Sequence, residues 1–190
     1  IISHLEDNLI PFNHISYIPD SPGVYAIALN NSNFPFLKDS SIDLGTILYI
    51  GKSDNSLKKR TITSHFKNNQ TGFSTLRRSL GAILKSELDL EPIPRSIKEK
   101  KFRDYAFIEE GEKRLTRWMA DNLSISFYSF KDGKKKLQMV EKEIIKILTP
   151  ILNVRHNVSL NPQYSELMDL RKKCKDIAKI KFEKGKTSKN

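Results

Sequence analysis

Two short apolar segments, separated by a polar stretch, constrain the fold of this chain most strongly. Residues 23–29 read GVYAIAL and follow a Ser-Pro turn, and residues 46–51 read TILYIG. Apolar, β-branched and aromatic residues bounded by turn residues are typical of strands. The stretch between them, residues 30–45, contains Asn, Ser, Pro, Asp and Gly, which predicts a long loop. We therefore expect a β-hairpin that brings Tyr25 and Tyr49 close together.

Helices and strands alternate along the rest of the chain, according to hydrophobic spacing and capping residues. The predicted helices span residues 56–68, 74–88, 112–122 and 134–148; the predicted strands span 104–109 and 124–130; a surface loop is predicted at 89–103. This pattern predicts an α/β fold. We expect a small mixed or antiparallel sheet of three or more strands, flanked by helices.

A carboxylate on the apolar face of the helix at 134–148 is the most informative single feature. At ~100° per residue, the apolar side chains group on one side of this helix. They are Leu137, Val140, Ile144, Ile145, Ile147 and Leu148. Glu141 falls within that arc, whereas Lys142, Glu143 and Lys146 fall outside it. A carboxylate directed inward is costly unless it is paired or binds a metal ion. The pattern leaves open a metal site, a buried ion pair, and a partly exposed Glu at the edge of the arc.

The charge of the chain is high but uneven. Lys and Arg number 33 against 22 Asp and Glu, a net charge of +11. Residues 171–190 hold nine basic and two acidic residues, a net of +7, which leaves +4 for the rest. A basic excess indicates a polyanionic partner, with nucleic acid ahead of a membrane surface. Because most of it lies in the C-terminal segment, charge alone does not establish nucleic-acid binding.

Composition excludes several classes of protein. No apolar stretch approaches the ~20 residues that a membrane-spanning helix needs. The single cysteine, Cys174, excludes an internal disulfide framework and a cysteine-based zinc cluster. We therefore expect a cytoplasmic protein with no membrane partner.

The order and spacing of several short motifs resemble the GIY-YIG nuclease family. Gly23-Val24-Tyr25 matches its first motif, and Tyr49-Ile50-Gly51 matches its second. A basic helix start follows at residues 58–60, a helical Glu comes later at 141, and Asn153 closes the pattern three residues after a proline. Each string alone is weak, but their order and strand-strand-helix context make a strong signal. The similarity covers residues 22–157, between an N-terminal extension (1–21) and a basic C-terminal helix or tail (158–190).

The resemblance implies roles for particular residues. Glu141 would be the sole protein ligand of one Mg²⁺ or Mn²⁺ ion per active site. Arg60 would contact the scissile phosphate, as a guanidinium presents two parallel donors to phosphate. Tyr25 and Tyr49 would line the site, and one of them, or His65, would act as the general base. Asn153 would also brace the edge of the site, and the positive charge of Lys52 would favour ionisation of a tyrosine. The DNA-binding residues would be Lys52, Lys58, Lys59, Arg77, Arg78 and Asn153.

Two details depart from the common family layout. On a regular helix Arg60 and His65 lie ~140° apart, which weakens His65 as a partner of Arg60. The interpretation of His65 as a surface or supporting residue therefore stays open. A second basic pair, Arg77-Arg78, offers another candidate for the phosphate-binding arginine, although its position also suits a solvated helix face.

The function predicted by this resemblance is that of a divalent-metal-dependent endonuclease acting on double-stranded DNA. A compact chain of this kind resembles restriction or phage-defence enzymes of bacterial or phage-like origin. Such an enzyme would need a homodimer on DNA, or successive cuts, to break both strands. The alternatives are a catalytically inactive nucleic-acid-binding module with the same fold, a DNA-repair or structure-specific nuclease, and an interaction protein whose basic tail binds an acidic partner.

Overall fold

A computed structural model describes residues 1–30, 34, 44–96 and 104–187 of the chain. The first elements are α1 (Ile2–Asp7), β1 (Ile10–Pro11), β2 (Gly23–Leu29) and β3 (Ile47–Ser53). The next are α2 (Leu57–Lys59), which continues as a π-helix over Arg60–His65, and α3 (Thr75–Ile83). Two short strands follow, β4 (Pro92–Ile93) and β5 (Ala106–Phe107). The last elements are α4 (Glu109–Asn122), β6 (Leu123–Ser129), α5 (Lys134–Leu148) and α6 (Tyr164–Thr187).

The main sheet has four antiparallel strands in the order β1-β6-β2-β3. This arrangement confirms the predicted α/β class. The predicted hairpin is formed by β2 and β3, with Tyr25 opposite Gly51 and Ile27 opposite Tyr49. Most of its predicted connecting loop, at 31–33 and 35–43, lies outside the described residues, as do residues 97–103 of the predicted loop at 89–103.

Strand β2 is buried on both faces, which explains its nearly continuous apolar sequence. Its odd-numbered residues, such as Tyr25 and Ile27, join a core with the side chains of α3, α4 and α6. Its even-numbered residues, such as Val24 and Ala26, pack on the opposite face with α1 and α5. The two-residue period of a strand thus divides its side chains between two cores.

Helix α5 has the predicted bounds. Gly133 precedes it with φ 88, a left-handed conformation that glycine adopts without strain. Thr149 ends it in a left-handed conformation, and its N–H donates to the carbonyl of Ile145. Leu137, Ile144 and Ile145 are buried, but Ile147 is 66 % exposed, so its predicted place in the buried arc is wrong.

The C-terminal basic segment is an ordered part of the fold as far as residue 187. Helix α6 packs against α3 and β4, and buries Leu167, Cys174 and Ala178 in the core. Basic side chains such as Lys172, Lys173 and Lys175 occupy its exposed positions. Among the described residues, no helix is both long and apolar enough to cross a membrane.

Candidate active site

A polar cavity of about 370 Å³ lies where β3, the π-helix and α5 meet. It is lined by Tyr25, Tyr49, Lys52, Arg60, Thr75, Gln138, Glu141, Ile145, Asn153, Val154, Arg155 and His156. Six residues singled out from the sequence are thus brought together, from positions up to 128 apart in the chain (Tyr25 to Asn153). We refer to this cavity as the catalytic pocket. His65 lies directly behind its wall, whereas Lys58, Lys59, Arg77 and Arg78 do not line it.

The antiparallel pairing of β2 and β3 explains why a glycine faces the first tyrosine. Gly51 lies opposite Tyr25, and a Cβ atom built on Gly51 would come within 2.3 Å of the Tyr25 hydroxyl oxygen. Heavy atoms that are not bonded do not approach so closely. The glycine that ends the Tyr-Ile-Gly string therefore makes room for the phenol of the Gly-Val-Tyr string.

Tyr25 begins a chain of buried hydrogen bonds. Its hydroxyl lies 2.6 Å from Nε2 of His65, and Nδ1 of His65 lies 2.8 Å from the hydroxyl oxygen of Ser74. Ser74 is the N-cap of α3, and its hydroxyl oxygen also accepts the backbone N–H of Arg77. His65 is completely buried, and it contacts the pocket wall through its hydrogen bond to Tyr25 and an edge-on ring contact with Tyr49 at 6.1 Å between ring centroids. Of the two positions that the sequence left open for His65, the surface position is wrong, and a supporting position behind the pocket wall is the one observed.

The local helix geometry places His65 and Arg60 on the same side of their helix. From Arg60 to His65 the chain forms a π-helix, in which the N–H of Phe66 donates to the carbonyl of Thr61 five residues earlier. Residues five apart are neighbours along a π-helix, whereas on an α-helix they diverge. The predicted ~140° separation therefore does not apply, because the helix is not regular.

Burial and charge set the protonation of this cluster. Burial raises the pKa of Tyr25 well above its usual value, with a further rise from Tyr49, while the Arg60 guanidinium acts in the opposite direction. Burial also lowers the pKa of His65 well below its usual value, reinforced by the positive charges of Arg60 and Arg77. Both groups are accordingly neutral near neutral pH. The cation that acts on Tyr25 is Arg60, whereas Lys52 forms an ion pair of 2.6 Å with Asp54.

Glu141 presents the only carboxylate among the described residues that line the pocket. Burial raises its pKa, and the positive charges of Lys52, Arg60 and Arg155 oppose that rise, while Asp54 adds to it. Glu141 is half-buried and forms no ion pair among the described residues, so the buried ion pair is not observed. The metal site and the partly exposed Glu, the other two alternatives that the sequence left open, both agree with this position. That position directs the carboxylate into a polar cavity with cations nearby.

Asn153 braces strand β3 from the far side of the pocket. Its side-chain oxygen accepts the N–H of Ile50 at 2.8 Å, and its side-chain nitrogen donates to the carbonyl of Ile50 at 2.8 Å. Both ends of the amide are thus occupied by one backbone residue. Asn153 holds the strand that carries Tyr49 and Gly51.

The Arg77-Arg78 pair does not line the pocket and has other partners. Arg77 is fully buried, and its guanidinium forms a 2.7 Å ion pair with Glu112 and donates to the carbonyl of His65 at 2.8 Å. Arg78 donates to the carbonyl of Gly72 at 2.8 Å and lies 3.6 Å from Asp104. Burial lowers the pKa of both arginines. Neither occupies the solvated helix face that the sequence left open.

Sequence reasoning missed several residues that complete the site. Ser74 is the first residue of the predicted helix at 74–88, but nothing in the sequence signals its bond to His65. Glu112 lies in the first turn of α4, where an acidic residue is ordinary. Arg155 and His156 lie two and three residues after Asn153, and His156 has a positive φ of 68. The nearness of His156 to Asn153 indicates a place at the rim of the site, but this residue was not among the predicted site residues.

One comparison with known proteins gives a match. The sequence model described as the GIY-YIG catalytic domain matches residues 23–173, which is more than half of the chain. The matched range includes both strands of the hairpin, the π-helix, α5 and the first part of α6. No curated protein and no solved structure matches the chain.

Proposed function

Because this chain belongs to the GIY-YIG nuclease superfamily, we propose that it is an active, metal-dependent endonuclease that hydrolyses double-stranded DNA. One observation carries the proposal. The catalytic pocket gathers the Glu141 carboxylate, the Arg60 guanidinium and Tyr25, whose hydroxyl is hydrogen-bonded to the buried His65 behind the pocket wall. These are the kinds of group that phosphodiester hydrolysis requires: an anionic metal ligand, a phosphate ligand and a route for a proton.

The pocket suits a magnesium or manganese ion held by Glu141. Magnesium keeps several waters and is often bound by one or two carboxylates together with substrate phosphate, rather than by a cage of protein ligands. No group of three or more His, Cys, Asp or Glu residues in the described part of the chain suits a metal ion. Glu141, a single half-buried carboxylate in a polar cavity, fits a magnesium ion that is otherwise bound by water and substrate phosphate. When bound, such an ion supplies positive charge that stabilises the leaving oxygen.

Tyr25 is best placed to accept a proton from the attacking water. Its raised pKa means that the phenol is neutral, so it needs an acceptor for its own proton. His65 is neutral and offers Nε2 at 2.6 Å if Nδ1 carries the hydrogen and donates it to Ser74. Water then loses a proton to the Tyr25 oxygen as the phenol proton passes to His65. The water oxygen bonds to phosphorus as the bond from phosphorus to the leaving oxygen breaks. The leaving oxygen takes a proton from solvent water, and the proton held by His65 afterwards returns to solvent through the Tyr25 hydroxyl.

Arg60 provides the phosphate contact in this scheme. Its guanidinium lines the same pocket as Tyr25, Tyr49 and Glu141, and its positive charge acts to lower the pKa of all three groups. A phosphate at this position brings negative charge, which makes protonation of His65 less costly than it is in the free protein. Tyr49 completes the wall beside Tyr25, with ring centroids 6.2 Å apart.

Substrate DNA is proposed to approach along the basic rim of the pocket. Lys52 lines the pocket, and Lys58 and Lys59 project from the exposed face of α2. Lysines at such positions neutralise backbone phosphates without reading sequence. We further propose a restriction or phage-defence role in the cytoplasm, with two copies acting on DNA or one copy making successive cuts.

A comparison of two glutamates on α5 tests the proposal. Plasmid DNA is incubated with the native protein, Glu141→Gln and Glu143→Gln, in magnesium, manganese or chelator. Glu143 is exposed and pairs with Lys146 at 2.8 Å, so it is a control of the same chemistry outside the pocket. We expect cutting by the native protein and Glu143→Gln with metal only, and none by Glu141→Gln. An uncut plasmid with native protein in both metals would favour the inactive binding module.

A further inference from the structure

A second, larger cavity of about 710 Å³ opens beside the catalytic pocket. We propose that it is a groove for the sugar-phosphate backbone of the DNA that flanks the scissile bond. It shares Thr75, Val154 and Arg155 with the catalytic pocket, so the two cavities form one continuous depression. This inference rests on the proposed function, because it extends the path of the same substrate. We refer to the cavity as the flanking groove.

The flanking groove concentrates positive charge. Its basic lining residues are Arg78, Arg155, Arg171, Lys172 and Lys175, against the acidic pair Asp104 and Asp169. Arg171 lies close enough to Arg78 that its charge, together with burial, lowers the pKa of Arg78. Asp104 offsets this only in part, at 3.6 Å from the Arg78 guanidinium. Clustered like charges destabilise a folded protein unless an anion neutralises them, which is the expected role of a phosphate backbone.

Three of these cations, Arg155, Lys172 and Lys175, are exposed and form no ion pair among the described residues. Arg155 also acts at longer range on Glu141, where its charge opposes the rise in the carboxyl pKa. Arg171 is held instead by a 2.8 Å hydrogen bond from its guanidinium to the hydroxyl oxygen of Ser79. The groove thus presents three exposed positive charges beside Arg78 and Arg171, which are held by bonds to other residues.

Helix α6 forms one wall of the groove and is firmly anchored. Tyr164, Met168, Lys172 and Lys175 recur at intervals of four and three, so they share one face of the helix. A neighbouring face buries Leu167, Cys174 and Ala178 in the core. Because these buried side chains anchor the helix, the backbone of Lys172 and Lys175 is held beside the catalytic pocket. A backbone entering at Arg60 can continue past Arg155 to Lys172 and Lys175.

Three basic residues of the C-terminal segment, Arg171, Lys172 and Lys175, thus line the flanking groove. Removing residues 171–190 would also remove the buried side chains of Cys174 and Ala178, so a truncation would confuse binding with folding. Neutral substitutions of exposed lysines avoid that difficulty. Lys172 and Lys175 face the groove, whereas the equally exposed Lys173 and Lys142 line neither cavity.

The test measures binding without cleavage. In the Glu141→Gln background with chelator, the affinity for a fluorescent DNA duplex is measured by anisotropy over a range of salt concentrations. We expect Lys172→Gln/Lys175→Gln to weaken binding severalfold and to reduce the slope of log K against log salt by about 2, roughly one unit per lost phosphate contact. Lys173→Gln/Lys142→Gln changes the net charge equally and is expected to leave the slope unchanged.

The outcomes separate this inference from the proposed function. The groove proposal would be overturned if Lys172→Gln/Lys175→Gln left the salt slope of DNA binding unchanged. It would also be overturned if the control Lys173→Gln/Lys142→Gln lost as much affinity. Either result would count even if the native protein cuts plasmid. A reduced slope without plasmid cutting would support the groove and refute the activity. Polyglutamate that competes as well as duplex at equal charge would overturn the assignment to DNA. In the protein that keeps Glu141, the substitutions Lys172→Gln/Lys175→Gln are expected to raise the KM for DNA and leave kcat unchanged.

Discussion

The hydroxyl of Tyr25 lies 2.6 Å from Nε2 of His65, although 40 residues separate them in the chain. Both side chains are buried, and only the tyrosine belongs to the wall of the catalytic pocket. Among the described residues, the Tyr25 hydroxyl is the hydrogen-bond partner that connects His65 to the pocket. In the proposed reaction the two residues therefore form one functional unit, in which His65 positions the phenol and accepts its proton.

The first prediction is that Tyr25→Phe and His65→Gln lose activity without adding to one another. Each removes one end of the same proton route, so each is expected to lower kcat by roughly 10²–10⁴-fold. The double variant is expected to be no slower than the slower single variant, as is usual for residues that act together. Single-turnover cleavage rates measure this.

The control for that prediction is His14→Gln, since His14 is exposed and lies outside the pocket. Its rate is expected to equal that of the native protein. If the losses of Tyr25→Phe and His65→Gln multiply in the double variant, the two residues act independently and the relay is wrong.

The second prediction concerns stability at acidic pH. The pKa of His65 is lowered in the folded protein by burial and by Arg60 and Arg77, whereas unfolding restores its ordinary value near 6.5. Below that value the unfolded chain binds more protons, so stability falls as pH falls, by up to about 1.4 kcal/mol per pH unit from this one group. Replacing His65 by Gln removes this loss.

Urea unfolding at pH 7.5 and at pH 5 measures the effect. The native protein is expected to lose more stability than His65→Gln over this interval, whatever the absolute stability of the variant at pH 7.5. An equal loss in both proteins would mean that His65 is protonated in the folded state, contrary to its burial.

The third prediction concerns the buried ion pair of Arg77 and Glu112. Both side chains are fully buried at 2.7 Å separation, and Arg77 also holds the carbonyl of His65. Glu112→Ala leaves a buried guanidinium unpaired and is expected to cost about 3–5 kcal/mol of unfolding free energy. Arg77→Met/Glu112→Leu removes both charges and is expected to recover much of that loss.

Thermal and urea unfolding of these variants test the pair. Glu110→Ala is the matched control, because Glu110 is exposed on the same helix and pairs with Lys113 at 2.9 Å. It is expected to unfold like the native protein. A Glu112→Ala protein as stable as the native one would contradict the structural role of this pair.

Local periodicity accounts for what the sequence predicted well. The spacing of apolar residues, with Asp132-Gly133 before and Pro150 after, predicted α5 to the residue. The same pattern directed attention to Glu141. It misplaced Ile147 because a helix at the edge of a sheet buries a narrower stripe than the full apolar arc.

Long-range contacts account for what the sequence did not predict. The predicted helix at 56–68 is a short α-helix followed by a π-helix, a form that no residue pattern signals. Arg77 resembles a solvated residue until Glu112, 35 positions later, is known to be its partner. The predicted strand at 104–109 is only two residues long, paired with β4 in a separate small sheet.

The last prediction tests the fit between Gly51 and Tyr25. A methyl group at position 51 would overlap the phenol, at 2.3 Å from its oxygen, so Gly51→Ala must displace Tyr25 or separate the two strands. Displacing a reacting group by about 1 Å lowers catalysis on the order of 10²-fold, which is the expected loss in kcat. Gly111→Ala is the control, since its new methyl group would meet its neighbours at an ordinary 3.4 Å within α4. Alanine is the better helix former, so this control is expected to gain up to about 1 kcal/mol in stability and to retain full activity. A Gly51→Ala enzyme that cuts plasmid at the native rate would show that the position of the Tyr25 hydroxyl does not limit the reaction.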